Sequence, residues 1–354
     1  MVDLGRKIRV AVLMGGISSE RNISLSTGKQ ILESLDTQRY EAFGVDAALL
    51  PGSTRAYLKG ADQEISAVAA ARDALAASTS LATVERIASS DPGVRPDVVF
   101  IALHGKFGED GTIQGMLELL GIPYTGSGVL ASALAMDKSM AKKVMAADGI
   151  PVPESVDFVV RDSNWDVNSI ADAVAELGYP VIVKPSCQGS SFGLRKVSGP
   201  GELNHAIKEA AAYDERIIVE RFVAGRELTV GVLGTNEPFA LPVTEIVPKN
   251  AFYDYESKYA TGGSEHIVPA GITDEQAARA QELGLAAHKS LGCRGVSRTD
   301  IILSGDSMYV LEVNTIPGMT PTSLLPEAAR VAGIPFGRLL DMLIEFALEE
   351  GTQR

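Results

Sequence analysis

Residues 298–314 constrain this chain more than any other stretch of it. Two β-rich runs, Arg298-Thr299-Asp300-Ile301-Ile302-Leu303 and Met308-Tyr309-Val310-Leu311-Glu312-Val313-Asn314, flank Gly305-Asp306, the pattern of an antiparallel hairpin. With a three-residue loop of Gly305, Asp306 and Ser307, Ser304 pairs with Met308, Asp300 with Glu312 and Arg298 with Asn314. Side chains alternate along a strand, so Arg298, Asp300, Glu312 and Asn314 leave one face together. Such a set suits a Mg²⁺–phosphate complex, because Mg²⁺ takes one or two carboxylates and completes its shell with phosphate and water. The same residues also fit a cross-strand ion pair on an exposed hairpin. Beyond Asn314, the segment Thr315-Ile316-Pro317-Gly318-Met319-Thr320 turns before Ser323-Leu324 and can aim N–H groups and hydroxyls at an anion.

A second group of residues suits phosphate. Lys184 lies at the end of the buried strand 180–185, and Gly189-Ser190-Ser191-Phe192-Gly193 follows. Glycines and serines in a turn expose N–H groups and hydroxyls to phosphate oxygens. A Walker A loop is excluded, since there the lysine follows the glycines; an ordinary turn remains the plain alternative. Lys138, at a helix start behind Asp137, could neutralise a different phosphate of the same triphosphate. Glu220 ends the run Ile217-Ile218-Val219, and Phe222-Val223 follow. This is either a connector lying against an adenine ring, with Glu227 reaching the ribose, or a buried strand with a salt-bridged glutamate.

The N-terminal part reads as a strand over 7–16 ending in Gly15-Gly16, then a helix from about Ser19, which suggests an α/β domain with a helix N-terminus facing a ligand. A dinucleotide-binding oxidoreductase starts similarly, but this turn lacks the spaced-glycine fingerprint. Residues 66–90 are Ala-rich and read as helix. Residues 97–103 form a second buried strand, and His104-Gly105-Lys106-Phe107-Gly108-Glu109-Asp110-Gly111 form a loop dense in glycine and charge. A long loop is expected over 248–270. The net charge of -13 opposes nucleic-acid binding, which needs Lys and Arg on the phosphate backbone. No apolar run approaches the roughly 20 residues of a membrane span. Cys187 and Cys293 are the only cysteines, which excludes a disulfide framework. With no secretory pattern at the N-terminus, the expected location is the cytoplasm.

The chain resembles the D-alanine–D-alanine ligases of the ATP-grasp superfamily over almost its whole length. The motifs that carry the resemblance are GGISSERNISLSTG at 15–28, LHGKFGEDGTIQGMLELLGIPYTGSG at 103–128, MDKSMAK at 136–142 and VIVKPSCQGSSFG at 181–193, followed by FYDYESKY at 252–259, SRTDIIL at 297–303 and LEVNTIPGMTPTSL at 311–324. It implies an α/β and α+β architecture: an N-terminal Rossmann-like domain (1–125), then a two-domain ATP-grasp clamp (126–219 and 220–354). The implied reaction joins two D-alanine molecules through a D-alanyl phosphate, for peptidoglycan precursors of the cell wall. Relatives that make D-Ala–D-Ser or D-Ala–D-lactate are the alternative, and a non-catalytic ATP sensor is disfavoured by the metal-ligand set and Arg298.

Carried onto this sequence, the resemblance implies that Lys138 and Lys184 contact ATP phosphates under a loop containing Ser190 and Ser191. Glu220, Val223 and Glu227 line the adenine and ribose. Asp300, Glu312 and Asn314 bind two Mg²⁺ ions, which Mn²⁺ can replace. Glu20 holds the first D-alanine's ammonium with His104 nearby, and Ser323 with the Leu324 backbone takes the second's carboxylate. Arg298 and the Gly318 N–H stabilise the tetrahedral oxyanion, and Lys258 meets the γ-phosphate. Tyr259 bonds towards Ser190 and Glu20 from a loop that closes over the site. The family implies a homodimer. Gln188 departs from the pattern, standing where many relatives carry an acid; Cys187 beside it is either a small filler or a modifiable thiol.

Overall fold

The computed structural model describes residues 6–18, 20–49, 87, 89, 91, 95–160, 167–189, 192–248 and 264–351. The expected helix at 66–90 falls almost wholly outside them, as do Ser190, Ser191, Lys258 and Tyr259.

The chain opens with β1 (Ile8–Met14), α1 (Arg21–Ser34) and β2 (Tyr40–Asp46), and β3 (Val98–Ile101) joins them in a parallel sheet of order β2-β1-β3. All of β3 and the centre of β1 are buried, which is why both read as continuous apolar runs. Gly15, at φ +74, ends β1 where a Cβ would lie 2.6 Å from Asp46 Oδ1, so the turn into α1 admits only glycine. Three helices follow: α2 (Thr112–Leu119), α3 (Val129–Met136) and α4 (Lys138–Ala147).

An antiparallel sheet of order β4-β7-β5-β6 comes next, built from β4 (Ser155–Val159), β5 (Val181–Pro185), β6 (Arg195–Val197) and β7 (Arg216–Arg221). Helices α5 (Val167–Leu177) and α6 (Pro200–Ala211) cover it. The last sheet runs β11-β10-β8-β12-β13, with β9 on the side of β8. Its strands are β8 (Arg226–Gly234), β9 (Phe239–Ala240), β10 (Thr244–Pro248), β11 (Ser264–Ile267), β12 (Gly295–Ser304) and β13 (Ser307–Asn314). Helix α7 (Asp274–Ser290) starts in a capping box between Thr273 and Gln276 and buries Ala280, Leu283 and Ala287 with Leu228 and Val230 of β8. The chain ends with α8 (Leu324–Val331) and α9 (Phe336–Gly351).

Two expectations need correction. The loop anticipated at 248–270 contains β11, whose Glu265, His266 and Ile267 pair with Val247, Ile246 and Glu245 of β10; the short stretch Ser-Glu-His-Ile is too brief and too polar to show a period of its own. The hairpin loop has two residues, not three: Ser304 pairs with Ser307 and Leu303 with Met308. Gly305 at φ +60 begins the kind of two-residue turn that matches strand twist. A one-residue slip would turn every later side chain over. A register shift between Asp300 and Ile301 absorbs it, because Ile301 pairs with Val310 while Asp300 pairs with Glu312. The bulge leaves Leu311 over, and Arg298 still meets Asn314.

Packing divides unevenly. The four-stranded sheet keeps a core of its own, in which Val174, Val183, Leu203, Ile207 and Val219 are all within 1% of full burial. The parallel sheet instead shares a core with the end of the chain: Val10, Val12 and Phe100 pack with Leu339, Leu343 and Ile344 of α9. Helix α4 lies between the two antiparallel sheets. Ala141 and Met145 bury against the six-stranded one, while Lys142 Nζ reaches Glu220 Oε2 in β7 at 3.0 Å. Lys184 of β5 approaches the other Glu220 oxygen at 2.7 Å.

Two stability predictions follow from buried ionisable groups. Glu220→Gln leaves Lys142 and Lys184 buried without their counter-charge, and breaking a buried pair from one side costs about 3–5 kcal/mol; urea unfolding should show a loss of that order. His288, on α7, contacts Ser297 Oγ through Nδ1 at 2.7 Å, and burial followed by the nearby Lys289 charge pulls its pKa from 6.5 to about 4. Between those values the unfolded chain binds the extra proton, so stability falls as pH drops through that window and then levels off. His288→Asn, which keeps a group for Ser297, should lose less stability than wild type between about pH 7 and pH 5.

Candidate active site

Two cavities meet at the hairpin. The first, of about 390 Å³, lies between the two antiparallel sheets and is lined by Lys138, Lys184, Glu220, Val223, Glu227, Asp300 and Glu312, among others. The second, of about 370 Å³, lies towards the parallel sheet and is lined by Glu20, His104, Arg298, Asn314, Gly318, Ser323 and Leu324. Lys138, Asp300 and Glu312 line both. Every candidate residue that the structure describes therefore faces one cavity or the other; of the proposed metal ligands, Asp300 and Glu312 stand at the junction and Asn314 on the side of the second cavity.

The junction is dense in paired charge. Arg298 Nε and Nη2 donate to Asp300 Oδ1 and Oδ2 at 2.9 and 2.8 Å, a bidentate fork of the strong kind. Thr229 Oγ1 adds a bond to Asp300 Oδ1 at 2.7 Å. Lys138 Nζ lies 3.3 Å from Glu312 Oε2 and donates to the Gln188 carbonyl at 2.7 Å. Burial works against the Lys138 ammonium, but the Glu312 charge outweighs it and holds the pKa above its usual value. Asn314 Oδ1 accepts the Ile316 N–H at 2.9 Å, which sets the direction of the turn after β13.

Helix α4 is held in place from its first residue. Asp137 caps it by accepting the Met140 N–H, Ser186 Oγ donates to Asp137 Oδ1 at 2.6 Å, and the Ser139 N–H returns to Ser186 Oγ at 3.1 Å. Lys138 and Lys142 are one turn apart, so they share a face. Lys142 is a residue that sequence reasoning left out; the spacing to Lys138 was the available signal. Burial and then the Lys142 and Lys184 charges act on Glu220 in opposite directions, and the lysines prevail, keeping its carboxyl below the usual range. Glu220 thus lines the cavity while its carboxylate is occupied by two lysines.

At the other end, Glu20 precedes α1 and is buried. A Cβ on Gly105 would lie 2.6 Å from Glu20 Oε2, and one on Gly189 would lie 3.0 Å from it. The carboxylate is therefore clasped between two backbones that carry no side chain, one from the loop after β3 and one from the loop after β5. His104 sits behind it, with Nε2 3.3 Å from Thr27 Oγ1, and burial lowers its pKa against the pull of Glu20. Glu109, also missed as a site residue, accepts the Gly105 N–H at 2.6 Å. Burial and then the Glu20 charge push its carboxyl up to about 8, so near neutrality it is held mostly as the acid.

The loop after β5 holds both Cys187 and Gln188 by bonds to its neighbours. The Cys187 N–H donates to Asp214 Oδ2 at 2.7 Å, and burial, then Asp214, push the thiol up to about 12. A thiol held protonated is a poor nucleophile, which favours the small-filler reading of Cys187. Gln188 turns its amide to the Tyr213 carbonyl at 3.1 Å.

The donor set fits a hard divalent ion. Among the described residues no group of three or more His, Cys, Asp or Glu could hold a metal alone. Two carboxylates and an amide oxygen on one face, beside a cavity large enough for a nucleotide, match an ion whose remaining ligands come from phosphate and water.

Two family models match the chain. The model described as the D-ala D-ala ligase N-terminus matches residues 9–127, and the one for the C-terminus matches 144–345. Curated relatives include the D-alanine–D-alanine ligase of Desulforudis audaxviator, 44% identical over 96% of this chain and 99% of its own. That of Rhodospirillum rubrum is 45% identical over 96% and 98%. Among solved structures, the Bacillus anthracis D-alanine–D-alanine ligase complexed with ATP superposes with a TM-score of 0.73 at 30% identity, covering 98% of this chain and 99% of that one. The VanG D-Ala:D-Ser ligase of Enterococcus faecalis gives 0.77 at 32%, covering 97% and 100%. With its N-terminal α/β domain and ATP-grasp fold, the chain belongs to the D-alanine–D-alanine ligase family.

Proposed function

We propose that the chain joins two D-alanine molecules to D-alanyl-D-alanine at the expense of ATP, supplying a peptidoglycan precursor. One observation carries this reading: Asp300 and Glu312, in register on one hairpin, stand where the cleft between the two antiparallel sheets opens into a second cavity lined by Glu20, Arg298 and Ser323. The nucleotide occupies the first cavity, with Lys138 and Lys184 on its phosphates and Val223 and Glu227 towards adenine and ribose. Asp300, Glu312 and Asn314 would hold Mg²⁺, which would supply positive charge at the phosphates.

Glu20 takes the ammonium of the first D-alanine, whose carboxylate oxygen attacks the γ-phosphorus in line and releases ADP. Positioning and charge stabilisation carry this step. The second D-alanine is anchored through its carboxylate at Ser323 and the Leu324 N–H, and its amine attacks the acyl carbon. Arg298 and the Gly318 N–H face the oxyanion as charge develops there; inorganic phosphate leaves and the nitrogen gives up a proton. Ser190, Ser191, Lys258 and Tyr259 keep the roles that resemblance implies. Closing the site against water matters because an acyl phosphate hydrolyses when water competes with the amine. We place the reaction in the cytoplasm, where ATP is abundant, and expect a homodimer. The described residues contain no helix long and apolar enough to cross a membrane.

Phosphate release from ATP should depend on D-alanine, with D-alanyl-D-alanine as the product. L-alanine should give no turnover, and D-serine or D-lactate offered beside D-alanine should be incorporated poorly. Absence of ADP with D-alanine at any concentration would end this reading, and preferential D-serine incorporation would move the chain to the D-Ala–D-Ser branch. Arg298→Ala should lower kcat by about 10²–10³, the usual cost of one oxyanion donor, with ATP affinity little changed; near wild-type turnover would refute the assignment.

A further inference from the structure

One hydrogen-bonded pair beside the second cavity has no part in the reaction as derived above. His266 of β11 lines that cavity together with Thr320, Thr322, Ser323 and Leu324. Its Nδ1 lies 2.7 Å from Glu327 Oε2, and both side chains are about three-quarters buried. A carboxylate only accepts hydrogen bonds, so Nδ1 carries the proton and donates. The other ring nitrogen, Nε2, lies 3.3 Å from Ser264 Oγ. Neither His266 nor Glu327 is among the residues that sequence reasoning assigned to the site.

Glu327 occupies a consequential place. It lies in the first turn of α8, whose N-cap is Ser323, and its N–H makes a helical bond to the Ser323 carbonyl at 2.9 Å. The amides ahead of it have no acceptor within the helix. Pro326 has no N–H to offer, so Leu324 and Leu325 provide the donors at this end. An acid in a first turn normally gains by facing such amides. Here the same donors are needed for the carboxylate of the incoming amino acid. A second carboxylate close by would compete for them and repel the substrate, with a Coulomb energy larger in a partly buried cavity than in water. The bond to His266 draws Glu327 towards β11.

We propose that His266 is a positioning residue of the acceptor subsite: by holding Glu327, it keeps the N-terminus of α8 open for the acceptor's carboxylate. This rests on the assignment of Ser323 and Leu324 to that carboxylate. The role is exercised on the second amino acid alone. Glu20, His104 and the nucleotide groups are reached by other elements.

The test uses the full chain with ATP and D-alanine, resolving the separate KM values of the first and second D-alanine. His266→Ala should raise the second KM about tenfold, the order expected of an unscreened like charge a few ångströms away, with kcat and the first KM unchanged. His266→Gln, which can still donate to Glu327, should stay near wild type. The double variant His266→Ala/Glu327→Ala should recover most of the loss, because the offending charge has gone. A mixed-acceptor assay with D-alanine and D-alanine amide supplies a second readout: His266→Ala should shift the product ratio towards the amide, which has no carboxylate to repel. Equal loss with both acceptors, a rise in both KM values, or failure of the double variant to recover would overturn the proposal. A wild-type chain that made no dipeptide would instead overturn the function proposed above.

Discussion

Opposite charges held at the seam between the two antiparallel sheets organise this molecule. Each acid that would face a metal ion already has a basic partner: Asp300 is forked by Arg298 and Glu312 is approached by Lys138. Those bases are the groups assigned to the oxyanion and to the phosphates. A cavity bare of nucleotide would otherwise hold several half-buried charges without counter-charge, a costly arrangement. In the function proposed above, a metal-bound triphosphate would exchange partners with these pairs, the cation meeting the acids and the phosphates the bases. The pairing leaves these half-buried charges compensated in the cleft.

The same logic explains why α4 has two lysines one turn apart. Its apolar side, Ala141 and Met145, belongs to the core of the six-stranded sheet. Lys138 faces Glu312 on that sheet, and Lys142 crosses to Glu220 on the other. The four-stranded sheet has a core of its own, so polar contacts of this kind connect it to the rest at the cleft. The parallel sheet differs, since α9 packs directly into it and Arg39 of the N-terminal part pairs with Asp341 and Glu345 of α9. The first and last parts of the chain thus form one packed body that presents Glu20, Arg298 and Ser323 around a single cavity.

Much of the site was legible before any coordinates, because its chemistry is concentrated in short motifs with strong local rules. The strand-turn-strand at 298–314 carries its acids at even spacing, and Asp137 ahead of Lys138 is a helix start by composition alone. Glu109 and Lys142 escaped notice for a shared reason: each is an ordinary charged residue in sequence, and only burial beside Glu20 or Glu220 makes it part of the site. His266 escaped because its partner is sixty-one residues away.

The amino-acid sequence by itself determined most of the α/β and antiparallel elements, the candidate residues of the hairpin and the loops around it and, through its motifs, the family. Local periodicity, turn chemistry and charge placement act over a few residues, and all of these depend on nothing more distant. The tertiary structure decided what needs long-range packing. The bulge at Leu311 restored a register that the two-residue loop had displaced, and the clasp of Gly105 and Gly189 around Glu20 joined two loops from different sheets. The state of Glu109 and the pairing of His266 with Glu327 belong here too, since desolvation and counter-charge are properties of the folded neighbourhood and of no single stretch of chain.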